Sequence, residues 1–72
     1  MAIQESGEMY LENILVLQKQ KGEVRSIDVA HYSGYSKPSV SRAMNILKKD
    51  GLITIDQDGF IHFTDTGYQI AH

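Results

Sequence analysis

Residues 36–49, Ser-Lys-Pro-Ser-Val-Ser-Arg-Ala-Met-Asn-Ile-Leu-Lys-Lys, constrain the fold more than any other segment. Ser36 is placed to cap a helix, and Pro38 falls in its first turn, where a missing amide costs nothing. Val40, Ala43, Met44 and Leu47 then recur at helical spacing and predict one apolar stripe that needs a core to cover it. The opposite face carries Ser41, Arg42, Asn45, Lys48 and Lys49, and the segment contains no acid. The net charge of −2 over 72 residues therefore conceals a local cationic excess. Acids crowd elsewhere, with Glu5, Glu8 and Glu12 near the start and Asp50, Asp56, Asp58 and Asp65 near the end. A polyanion responds to the local field and not to the sum.

What surrounds this helix sets its use. A first helix is predicted from Ser6, as cap, to Lys21, with Tyr10, Leu11, Ile14, Leu15 and Leu17 as its apolar face and Gly22 as its stop. Glu23-Val24-Arg25 reads as a short extended piece. Ser26 is predicted to cap a brief second helix, Ile27 to Tyr32, with Val24, Ile27 and Ala30 inward. Ser33-Gly34-Tyr35 is the turn, where Gly34 supplies a positive φ. After Asp50-Gly51 the period changes. Leu52–Ile55 and Phe60–Phe63 are β-branched and aromatic runs joined by Asp56-Gln57-Asp58-Gly59, a hairpin pattern. Thr64 is then placed to cap a last helix, Asp65 to His72. The order helix, helix, helix, hairpin, helix predicts a mainly α chain with a small β-hairpin, a winged helix-turn-helix.

A domain this small buries only about 60% of the surface that its unfolded chain exposes. With no cysteine, neither a disulfide nor a thiolate zinc site can reinforce it. Apolar runs are too short to span a membrane, and no signal-peptide pattern opens the chain, so a cytoplasmic protein with no membrane partner is expected.

The chemistry available is recognition and not catalysis. In a helix-turn-helix the second helix enters the major groove of double-stranded DNA, which assigns that role to residues 36–49. Arg42 can give two hydrogen bonds to guanine, and Asn45 can pair with adenine or a phosphate. Ser36, Ser39 and Ser41 stand near the helix start, where hydroxyls and amides hold phosphates. Lys37, Lys48 and Lys49 add affinity that ignores sequence. The plainer alternative is that the serines only cap and the polar face only solvates the helix. Gln57 and Asp58 at the hairpin tip are poor phosphate ligands. His31, His62 and His72 have no partner at helical spacing, and no nucleophile or phosphate-loop motif is present, so an enzyme is not expected. Glu8, Met9 and Glu12 share one helical neighbourhood and offer two carboxylates and a thioether to a transition metal. Spacing alone favours the simpler view, Met9 in the core and the glutamates serving the helix dipole.

Taken together, Glu8-Met9-Tyr10-Leu11-Glu12, Gly22-x-Val24-Arg25-x-x-Asp28-x-Ala30, Ser36-x-Pro38-Ser39-Val40-Ser41, Lys49-Asp50-Gly51-Leu52 and Thr64-Asp65-x-Gly67 resemble the metal-dependent repressors typified by the diphtheria toxin repressor and the manganese transport regulator. The resemblance runs from Glu8 to Ala71. It implies a transcriptional repressor of metal homeostasis, with Mn²⁺ or Fe²⁺ as corepressor and a homodimer on a palindromic operator. It implies metal ligands at Met9, where iron-responsive members carry methionine, and at Glu12, where manganese-responsive members carry glutamate. It places the DNA-contacting segment at Ser36, Pro38, Ser39, Ser41 and Arg42. The remaining ligands and the dimerisation helices are expected after residue 72, so the metal site within this chain is partial. Two other readings stay open: a winged-helix protein-interaction module, and a small-molecule-sensing regulator of the multiple-antibiotic-resistance type.

Overall fold

The first helix, α1, spans Ile3–Lys21 in a computed structural model that describes the backbone of residues 3–71 and the side chains of residues 7–71. Its start lies upstream of the predicted one, so Ser6 is inside the helix and does not sit at its cap. Tyr10, Leu11, Ile14 and Leu17 are buried on one side, and Leu15 packs at the edge of the same core. Gly22 ends the helix with φ at +86°.

Helix α2 spans Ser26–Ser33, and its cap is Arg25 where Ser26 was expected. Two contacts explain the difference. Arg25 is held extended by a lone antiparallel bridge to Phe60, and its backbone N–H donates to the Asp28 carboxylate at 2.9 Å. The orphan amide at the helix start is therefore satisfied from the third helical position, and Ser26 becomes the first residue of the helix. Asp28 also pairs with Lys21 of α1 at 2.8 Å, tying the two helices across the turn. Val29 and Ala30 are buried while Ile27 is only half-buried, which rotates the inward face slightly from the predicted one. Gly34 closes α2 in the left-handed conformation, as predicted, its N–H donating to the Ala30 carbonyl.

Helix α3 spans Lys37–Lys49 with Ser36 as cap, its hydroxyl oxygen accepting from the Ser39 N–H at 3.3 Å. Val40, Met44 and Leu47 are buried, and Ala43 is packed against them. Strands β1 (Ile53–Ile55) and β2 (Ile61–Phe63) pair antiparallel, with Ile53 opposite Phe63 and Ile55 opposite Ile61. Each is one residue shorter than predicted: Phe60 bridges to Arg25, and Leu52 lies before β1 with its carbonyl accepting from the Thr64 N–H. Val24 extends the hairpin on its far side, its carbonyl accepting from the Ile61 N–H at 2.7 Å. Helix α4 spans Asp65–Ala71, capped by Thr64 as expected; its predicted last residue, His72, lies outside the described residues.

The four helices and the hairpin enclose one core in which Ile14, Val24 and Val29 have no exposed surface. Each fully buried aliphatic side chain of this kind contributes about 1.5–3 kcal/mol. No polar or charged side chain is buried among the described residues. The arrangement is a winged helix. No helix among the described residues is long and apolar enough to cross a membrane.

α4 approaches the hairpin so closely that a Cβ at Gly67 would fall on the Leu52 carbonyl oxygen. Backbone cannot yield as a flexible side chain can, so Gly67→Ala should destabilise the domain by more than about 2 kcal/mol, read as a lowered midpoint in urea. Asp28 provides a pH signature. Its hydrogen bond from Lys21, then that from the Arg25 backbone, hold its carboxyl below the usual carboxylate range. That stabilisation is present above the unfolded-state value and lost as pH falls through the lower native one. Asp28→Ala should therefore cost about 0.5–1 kcal/mol at neutral pH. Melting curves of variant and wild type should converge as pH falls through and below the ordinary carboxylate range.

Candidate nucleic-acid interface

Packing consumes the apolar stripe of α3 and leaves its other face to solvent. Ser41, Arg42, Asn45, Lys48 and Lys49 are all exposed, as are Ser36, Lys37, Pro38 and Ser39 at the helix start. Thus the structure brings all nine residues singled out in the sequence onto one helix and its cap. Its cations are also unneutralised: among the described residues the ion pairs are Lys21–Asp28 and His62–Asp56, and neither involves α3. At the helix start the Ser36 hydroxyl donates to Ser39 Oγ at 2.9 Å while accepting the Ser39 N–H. Ser36 is thereby committed to the cap, and the Ser39 hydroxyl keeps a proton to give outward. This end of α3 combines the positive end of the helix dipole with Lys37, a pairing suited to an anion.

The hairpin contributes differently. Asp56 organises its turn: the carboxylate accepts from the Asp58 and Phe60 backbone N–H groups at 2.9 and 3.0 Å and meets His62 Nε2 at 2.8 Å. The His62 contact first, then the Phe60 amide, lower the Asp56 carboxyl below its ordinary value. Sequence spacing found no partner for His62 because the partner lies across the hairpin and not along a helix. The tip residues Gln57 and Asp58 are exposed, with the acid facing solvent.

One cation escaped the sequence reading. The Arg25 guanidinium lies 4.5 Å from the centre of the Phe60 ring, so a positive charge is held by stacking where the start of α2 meets the turn end of the wing. Charge and exposure at Arg25 were legible, but a partner 35 positions away was not.

The two candidate metal ligands also sit differently from the reading that spacing favoured. Met9 is 46% exposed and so is not a core residue. Its sulfur accepts a hydrogen bond from the Tyr35 hydroxyl at 3.2 Å. Glu12 and Glu8 are exposed near it on α1. A thioether and a carboxylate one turn apart fit a transition metal in kind but are too few to complete its coordination. Among the described residues no three His, Cys, Asp or Glu side chains converge on a common point.

No curated protein matches the chain. The family described as iron dependent repressor, N-terminal DNA binding domain, matches residues 2–60, a span that takes in α1, α2, α3, β1 and the turn of the wing. The chain therefore belongs to the iron-dependent repressor family, and its winged helix is that family's N-terminal DNA-binding domain.

Proposed function

We propose that this domain reads double-stranded operator DNA by inserting α3 into the major groove, as the DNA-binding part of a cytoplasmic, metal-dependent repressor of metal homeostasis. The observation that carries this reading is the face of α3: exposed, free of acid and with its cations unpaired among the described residues. A helix of that kind is costly to leave idle near other cations and is well matched to a polyphosphate backbone. Arg42 and Asn45, one turn apart in the middle of the face, read base edges. Lys37, Pro38, Ser39 and Ser41, set in place by the Ser36 cap, dock the helix start against one strand, and Lys48 and Lys49 meet phosphates near its other end. The wing, acidic at its tip, contributes little beyond its backbone and the Arg25 cation stacked on Phe60 beside its turn.

The regulatory half of the proposal concerns Met9 and Glu12. These would supply two ligands of a divalent-metal site completed by a domain that follows residue 72, in a homodimer that spans a palindromic operator. The thioether is a soft donor, and Fe²⁺ binds such sites more tightly than Mn²⁺, so iron is favoured over manganese as corepressor. Bound there, the metal supplies positive charge and a bridge between domains. This chain's own part is to present both side chains from one rigid helix.

The test is binding to a randomised duplex pool across a salt series, followed by enrichment of the bound sequences. The proposal expects affinity that falls steeply with salt and a recovered consensus with two-fold symmetry when the following domain is present. Added Fe²⁺ should strengthen binding only in that longer chain. Loss of all binding at low salt would instead favour a protein-docking role. Within the recovered sequence, Arg42→Ala should cost about 1–3 kcal/mol and erase preference at one base pair. Lys48→Ala should weaken all sequences alike and reduce the salt slope by about one.

A further inference from the structure

The turn before α3 is attached to α2 by its backbone. The Gly34 N–H donates to Ala30, and the Tyr35 N–H to Ser33 Oγ at 3.3 Å. Tyr35 ties the turn to α1 as well. The Tyr35 ring lies 5.6 Å from that of Tyr10, tilted by 57°, and the Tyr35 hydroxyl reaches the Met9 sulfur. Tyr10 is buried in α1, so the ring contact has a fixed base. The next residue, Ser36, caps α3. The core contacts of α3, through Val40, Met44 and Leu47, are apolar and non-directional. They hold the helix from Val40 onward, whereas residues 36–39 at its N-terminus are exposed. A directional hydrogen bond combined with a tilted ring pair, one residue before the cap, supplies a tie at that exposed end.

We infer that Tyr35 is a positioning residue for DNA recognition: its hydroxyl, anchored on the Met9 thioether, sets the entry angle of α3 and makes the Met9 sulfur and the N-terminus of α3 one coupled unit. The inference rests on the DNA reading of α3 proposed above. It accounts for an exposed tyrosine whose polar atom points back at an exposed methionine, a pair that adds little to the core. By reciprocity, anything that engages the Met9 sulfur is felt at the Ser36 cap, and DNA that fixes the cap is felt at Met9.

The experiment uses two conservative variants. Tyr35→Phe keeps the ring against Tyr10 and removes the hydroxyl; Met9→Leu keeps the bulk and removes the acceptor. Affinity is measured for the duplex enriched by the wild-type chain, beside hydrogen exchange in the DNA-free protein. Each variant should lose about two- to tenfold in affinity, the span of one net hydrogen bond. The double variant should lose no more than the worse single one, because both cut the same bond. In the free protein both should speed exchange of the Ser39 amide, which the Ser36 cap holds, and leave that of Ile14 unchanged. Additive losses, an unchanged affinity or an unchanged Ser39 amide would overturn the inference while the DNA reading stood. If the wild type enriches no duplex, the DNA reading itself fails and the inference with it. The Ser39 amide then reports only whether the Tyr35–Met9 bond governs the cap.

Discussion

Burial of the apolar stripe of α1 is the interaction on which the other elements depend. Ile14 at its centre is wholly enclosed, with Leu11 and Leu17 above and below it, and α2, α3, α4 and the hairpin all close over that line. A chain of this size without cysteine has one core and no covalent staple, so each helix must spend its apolar face there. For α3 the result is functional. With Val40, Met44 and Leu47 turned inward, Arg42, Asn45, Lys48 and Lys49 have nowhere to go but outward. The exposed cationic face is what remains when the core has been satisfied.

Polar contacts then refine what the core leaves loose. The Asp28 carboxylate ties Arg25 at the start of α2 to Lys21 at the end of α1, and Asp56 gathers the wing turn around itself. Thr64 works on two elements at once: its hydroxyl donates to the Gly51 carbonyl at 2.7 Å and accepts the Gly67 N–H of α4. These groups are mostly exposed, so each adds little to stability. Their effect is on angle and register, which matter more to a surface that must match a helical groove than to the core beneath it. Asp28 and Asp56 are used up in such contacts, and although Asp50 follows α3 directly as its C-cap, no ion pair among the described residues involves the cationic face.

Much of the fold was legible because the informative signals are local. Ser36 with Pro38, Gly34 between two helices, Gly59 in the hairpin turn and Thr64 before α4 each mark a backbone need that one or two residues meet. The signals failed where a distant partner decided the outcome. Ser26 has the chemistry of a cap, yet Arg25 takes that position because Phe60 holds it extended from across the chain. Ser6 resembles a helix start, but the helix continues upstream of it. Ser41, Arg42, Asn45, Lys48 and Lys49 could be read from helical period alone, since period determines which side of a helix faces the core, while Ser36, Lys37, Pro38 and Ser39 were marked by the capping pattern at the helix start. Met9 could not, because an amphipathic pattern does not distinguish a core edge from an exposed one.

The amino-acid order by itself determined the element types, their sequence and the two faces of α3, because hydrophobic period, capping and glycine placement act within a few residues. Only the tertiary structure decided how those elements meet. It gave Arg25 its ring at Phe60, His62 its carboxylate at Asp56, Gly67 its contact with Leu52 and the Met9 sulfur its hydroxyl from Tyr35. Each of these depends on distances between residues brought together by the closing of the core, a quantity that local sequence does not encode.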